Sequence, residues 1–164
     1  VRVRCQCYTH QPATQVRPLL GGRLWGGYFR FTIEREPFPR LPSQCFWQIQ
    51  GHDDPPDFAT WLRSPRPLKN SNQAIYVDQG GLAVNFVADF ARLDEDMALL
   101  AETFGWPWEG PLPRAKSGVR KGRTVTWTDA DRAVVRERFA TELKVHDMAS
   151  KGLFRDRLVK ARSR

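Results

Sequence analysis

The stretch from Tyr28 to Ser43, Tyr-Phe-Arg-Phe-Thr-Ile-Glu-Arg-Glu-Pro-Phe-Pro-Arg-Leu-Pro-Ser, spaces its side chains in a way suited to holding an anion. Phe29, Phe31 and Ile33 alternate with Arg30, Thr32 and Glu34, the period of a half-buried strand whose apolar residues face inward. Pro37 and Pro39 stop that strand and pre-set a turn, and the pattern predicts a helix start beyond them with Ser43 in its first turn. Arg35 then stands at the strand's carboxyl end with its forked donors. It faces a helix terminus whose free N–H groups and dipole favour negative charge. The same spacing also fits an arginine in solvent beside an ordinary helix cap. His10 falls at or just past the end of another expected strand, Val1–Tyr8, at the edge where open α/β sheets place their ligands. Cys5 and Cys7 suit either a zinc or redox pair or two small buried residues. No second Cys/His pair follows at ligand spacing, so no metal site is read.

The elements that must position these residues follow from periodicity and punctuation. Ala13–Leu20 is short and helix-compatible, and the Gly21-Gly22 and Gly26-Gly27 pairs break the chain after it. Leu41, Cys45, Phe46 and Ile49 give a helix from Arg40 to about Gln50 one apolar face. Asp53-Asp54-Pro55-Pro56-Asp57 is a turn and helix entry, with Phe58, Trp61 and Leu62 at helical spacing behind it. Arg63–Ser71 reads as loop, and Leu82–Phe86 enters a strand that ends near Phe90. Leu93–Phe104 is a helix with Asp94, Glu95 and Asp96 at its start and Gly105 as its stop. Trp106–Pro113 is loop by its prolines, and a basic, glycine-containing loop runs from Arg114 to Arg123. Thr128 and Asp131 cap one long final helix with Val134, Val135, Phe139 and Leu143 on its apolar side. Strands separated by helices predict an α/β fold with a parallel sheet flanked by helices. His52 and His146 have no such context and are expected at the surface.

Composition bounds the rest. The 164 residues fit one domain with a real core, and 41% hydrophobic content excludes wholesale disorder. The apolar runs are too short to span a bilayer, no signal-peptide pattern opens the sequence, and three cysteines are too few for a disulfide framework. A soluble, cytoplasmic protein is expected. The net charge of +8 attracts phosphates, sulfated sugars, nucleic acid or anionic membranes without choosing among them. Much of it sits in Lys151, Arg155, Arg157, Lys160, Arg162 and Arg164, which read as a solvated helix end or as an electrostatic contact with a polyanion or partner chain.

The order of these motifs resembles the carboxyl-terminal two-thirds of a sulfotransferase that uses 3′-phosphoadenosine 5′-phosphosulfate. The resemblance runs from about Thr9 to Met148. Arg35-Glu36-Pro37-Phe38-Pro39-Arg40-Leu41-Pro42-Ser43 is similar to the family's Arg-Asn-Pro segment, whose arginine and serine, eight apart, grip the cofactor's 3′-phosphate. Asn85-Phe-Val-Ala-Asp-Phe-Ala-Arg-Leu-Asp-Glu-Asp96 and Thr126-Trp-Thr-Asp-Ala-Asp-Arg-Ala-Val-Val135 resemble two later segments. Arg120-Lys121-Gly122 resembles the Arg-Lys-Gly that closes over the 3′-phosphate. Thr9-His10-Gln11-Pro12 lies where cytosolic members carry Thr-His-Leu-Pro, whose histidine is the general base.

The resemblance implies a partial P-loop-like sulfotransferase fold over residues 1–149 followed by a basic tail, 150–164. His10 is implied as the catalytic base, with Arg35, Ser43, Arg120, Lys121 and Gly122 as cofactor ligands and a hydroxyl acceptor, carbohydrate among the candidates. The family's first strand and its lysine- and glycine-bearing phosphosulfate loop are absent from this sequence, Glu36 replaces the family's Asn, and Pro39 replaces its Asp. Only the 3′-phosphate half of the cofactor site is therefore recognisable, and the isolated chain is expected to be inactive. The alternative expectation is a catalytically degenerate sulfotransferase fold serving as a structural or polyanion-binding subunit of a larger assembly.

Overall fold

The computed structural model describes residues 11–69, 71–113 and 122–162. His10, Arg120, Lys121, Cys5, Cys7 and the strand expected at Val1–Tyr8 lie outside the described residues.

The chain forms α1 (Ala13–Gly27, broken at Gly21), β1 (Phe31–Glu34) and α2 (Pro37–Gln48). After a turn come α3 (Phe58–Arg63), α4 (Arg66–Lys69) and α5 (Gln73–Tyr76). A two-residue hairpin, β2 (Val77–Asp78) and β3 (Gly81–Leu82), leads to β4 (Phe86–Asp89). The positive φ angles of Gln79 and Gly80 suit the right-handed twist of such a hairpin. The remaining helices are α6 (Leu93–Phe104), α7 (Asp129–Arg138), α8 (Ala140–Ser150) and α9 (Leu153–Arg162). β1 and β4 pair in parallel, with Phe31 opposite Phe86 and Glu34 opposite Asp89. The fold is mixed α/β, with this one parallel pair among the described residues.

Two apolar cores form, one of which contains β4. One joins β4, α6, α8 and α9 through Phe86, Val87, Leu100, Val145, Phe154 and Leu158. The other joins α2, α3 and α7 through Leu41, Cys45, Phe46, Trp61, Leu62 and Val135. The expected apolar face of the second helix is thus the face buried. Burial pushes the Cys45 thiol up to about 11, so it remains a protonated packing residue. Gly105 ends α6 at φ 67°, a left-handed position that glycine fills without strain.

Four expectations are corrected. The strand's polarity is reversed: Phe31 and Ile33 are 37% and 38% exposed, whereas Glu34 is fully buried. A four-residue strand has its inward face chosen by tertiary partners, and polar partners for Glu34 arrive from distant segments. α2 begins at Pro37, not Arg40, because proline at the first helical position loses no hydrogen bond and fixes a helical φ. Ser43 is accordingly the seventh residue of α2 and not in its first turn. The single long final helix is three: the backbone leaves helical geometry at Phe139 (φ −119°, ψ 25°), whose ring is buried. Finally, part of the expected loop Arg63–Ser71 is the short helix α4. Within the stretch assigned to a basic tail, α9 places Phe154 and Leu158 in the first core.

The start of α7 shows the local chemistry expected of it. The Thr128 hydroxyl accepts the Asp131 N–H at 3.1 Å, and the Asp131 carboxylate accepts the Thr128 N–H at 3.2 Å, closing a capping box. The hydrogen bond from Thr128, with the Arg63 guanidinium beside it, holds the Asp131 carboxyl below its ordinary 3.8. That stabilisation is present above this ordinary value and is lost as pH falls below it. Thr128→Ala should cost about 1 kcal/mol in urea unfolding at pH 7. Asp131→Ala should cost more, because it also removes the 2.7 Å pair with Arg63.

Candidate functional site

Three groups of side chains stand out, two of them built on α2. The first is at the carboxyl edge of the parallel pair. Asp89 accepts the Ala91 N–H at 2.9 Å and lies 3.6 Å from Arg92 and 3.9 Å from His146. Its own N–H donates to Asp96 at 2.7 Å, and Asp96 is paired in turn with Arg155. His146, expected at the surface, is thus drawn against a buried carboxylate. Arg35 stands at this edge with its guanidinium carbon 4.9 Å from the centre of the Phe90 ring, a cation–π distance.

The second group is buried between the two apolar cores. Glu142 on α8 pairs with Arg40 on α2, and accepts the Ser71 hydroxyl and, at 3.1 Å, the Gln73 N–H. Glu34, beside them at the end of β1, accepts the Asn72 amide at 3.1 Å and the Arg35 N–H at 3.0 Å, both on one oxygen. The Glu34 carboxyl is pushed up to about 7, chiefly by burial, with the nearby Tyr76 hydroxyl opposing the rise and the Glu142 charge adding to it. Burial likewise raises the Tyr76 phenol, with the charge of Glu34 as the next cause. The sequence held no local signal for this cluster, since each member alone reads as an ordinary polar residue.

The third group forms a cleft of about 320 Å³ between α2 and the segment before α7. Phe38, Pro39 and Pro42 make one wall; Arg123, Thr124, Val125 and Trp127 make the other. Its volume lies at the small end of the range for small-molecule sites, about 300–1,000 Å³. Trp127 is held edge-on by Phe38 (5.3 Å) and Phe58 (5.0 Å), while Arg132 stands 5.9 Å from both Phe38 and Trp127. Arg123 lies 5.9 Å from the Phe46 ring. A rigid aromatic wall with a cation on each side suits a planar ring that bears negative charge.

The sequence-derived site residues divide accordingly. Gly122, at φ 76° where a side chain would be strained, leads the chain into the cleft wall at Arg123. Ser43 adjoins the opposite wall: its hydroxyl donates to the Pro39 carbonyl at 3.3 Å. Arg35 is not among the cleft residues and occupies the sheet edge instead. The helix terminus is also a weaker anion site than expected. Pro37 and Pro39 supply no N–H, so of the first three helical residues only Phe38 has one to offer. Phe38, Arg123 and Trp127 line the cleft without a signal of their own in the sequence, although Trp127 lies in the aromatic Thr126–Val135 segment.

Among the described residues, no group of three or more His, Cys, Asp or Glu side chains is placed to hold a metal ion, and no helix is long and apolar enough to cross a membrane. Comparison with family models, curated proteins and solved structures yields no match for this chain.

Glu142→Ala tests the buried group directly. It leaves the nearly buried Arg40 guanidinium without its counter-charge, and breaking such a pair costs about 3–5 kcal/mol. Denaturant unfolding at pH 7 should register that loss, whereas the exposed Glu137→Gln should change stability by less than about 0.5 kcal/mol.

Proposed function

We propose that the chain is sulfotransferase-like and binds the 3′-phosphoadenosine part of 3′-phosphoadenosine 5′-phosphosulfate in the cleft between α2 and residues 123–127. The observation that carries this reading is the juxtaposition of two segments distant in sequence. The resemblance singles out Arg35–Ser43 and Arg120–Gly122 as the two grips on one phosphate, and the cleft has α2 as one wall and the residues just after Gly122 as the other. The purine lies against Trp127 and Phe38, and Arg123 meets the phosphate charge. Ser43, Arg120, Lys121 and Gly122 are the remaining 3′-phosphate ligands in this reading, whereas Arg35, implied as a fifth by the resemblance, stands at the sheet edge outside the cleft.

Where the missing phosphosulfate-binding part is supplied, the acceptor hydroxyl oxygen would attack sulfur while the bond from sulfur to the bridging phosphate oxygen breaks. The hydroxyl proton passes to His10, whose ordinary pKa near neutrality suits a base, and adenosine 3′,5′-bisphosphate departs. One observation favours a second, purely binding role. With prolines at two of the first three positions of α2 and Glu36 at its cap, phosphate is held by side chains and not by a row of backbone donors. Such a site retains affinity while contributing little to charge stabilisation in a transition state.

Titration calorimetry with adenosine 3′,5′-bisphosphate should show binding at or below millimolar ligand. Arg123→Ala should weaken it by roughly 10- to 100-fold, the loss of a hydrogen bond to a charged group. Adenosine without phosphates should bind more weakly than the bisphosphate. No heat at millimolar bisphosphate overturns the reading.

A further inference from the structure

The buried polar group holds two carboxylates and one cation. Glu34, Glu142 and Tyr76 are fully buried, and they come from β1, α8 and α5, with Arg40 added from α2. Glu142 is fully provided for by Arg40, Ser71 and Gln73. Glu34 is not. Its Oε1 accepts Asn72 and Arg35, but its Oε2, the Tyr76 Oη and the Arg40 Nε complete no hydrogen bond at standard geometry. The groups facing Glu34 are Tyr76, Glu142, Arg40 and Asn72, and Asp89, with His146 and Arg92 about it, holds the paired position on β4. One guanidinium balances one carboxylate here, so the second carboxylate needs a proton to be electrically neutral in the core.

We propose that Glu34, Tyr76, Arg40 and Glu142 form a one-proton lock that fastens the segment Ser71–Tyr76 between β1 and α8. With Glu34 protonated, the group is neutral: the carboxyl proton is directed at Tyr76 Oη, and Asn72 keeps its bond to Oε1. Loss of that proton leaves a buried net negative charge beside Glu142. Both carboxylates then compete for Arg40, and Ser71 and Gln73 lose the balanced Glu142–Arg40 pair that orders them. The transition belongs near neutrality, because burial moves this carboxyl from its ordinary 4.5 to about 7. The sign follows from that direction. A carboxyl protonated more readily in the folded state contributes stability fully below its ordinary value, and the contribution is lost as pH rises through the folded value. The lock stands whether or not the cleft binds a nucleotide, since none of its four side chains lines the cleft.

Amide hydrogen exchange of peptides covering residues 71–76 tests it, read by mass spectrometry between pH 5.5 and 8.5 and corrected for intrinsic rates. The opening equilibrium of that segment should rise by roughly 30-fold across this range in the native sequence. It should stay flat in Glu34→Gln, which keeps the neutral carboxyl's shape without its charge, while Glu137→Gln should behave like the native chain. Carboxyl ¹³C NMR of the native protein should show Glu34 titrating near 7, a measurement that requires no variant to fold. Glu34 titrating near 4.5, exchange in segment 71–76 that ignores pH, or a pH response retained in Glu34→Gln would each overturn the proposal.

Discussion

The pair between Arg40 and Glu142 is the constraint on which the rest of the arrangement depends. Its members are 102 residues apart and join the helix that follows β1 to the helix that covers β4. Each apolar core is built largely from one side of this junction, with Leu41 next to Arg40 in one and Val145 one turn after Glu142 in the other. Hydrophobic contact alone would let the two cores slide, because apolar burial has no direction. A bidirectional charge contact with Ser71 and the Gln73 N–H added to it fixes one register. A buried ion pair of this kind adds little net stability over an apolar pair, but it penalises every arrangement that leaves one member alone.

Positive charge is spread through the sequence, yet much of it is structural. Arg63 is committed to Asp131, Arg155 to Glu95 and Asp96, and Arg17 to Asp78. Arg92 donates to the carbonyls of Ala149 and Ser150, where a helix terminus presents negative charge, and Arg138 donates to those of Leu62 and Ser64. These guanidinium groups hold the fold together as well as carrying charge. What distinguishes Arg123 is its position in the wall of the cleft, with Arg132 beside the same Phe38 and Trp127 rings that form that wall.

How much of this was legible in the sequence depended on the range of the interactions that decide it. The α6 helix with its Gly105 stop, the Thr128–Asp131 box, the Asp57 cap and the buried Leu41, Cys45, Phe46 and Ile49 all follow from residues within two turns of one another. The face of β1 did not follow. Alternation placed Glu34 outside, while Asn72, Tyr76, Arg40 and Glu142, none of them its neighbour, draw it inside. The same limit applied to the site. Both walls of the cleft lie in or beside stretches marked from their residues, while Arg35, expected at the carboxyl end of its strand, stands at that sheet edge and not in the cleft. Its stacking on Phe90 depends on the parallel pairing of β1 with β4, and a chain pattern does not contain that pairing.

α2 connects these themes because consecutive residues on it serve different neighbours. Phe38, Pro39 and Pro42 form a wall of the cleft, Arg40 reaches the buried carboxylates, and Leu41 and Cys45 lie in the second core. The buried group and the cleft therefore occupy different faces of one helix, whose first turn Pro37 and Pro39 fix, so a single element sets the position of both.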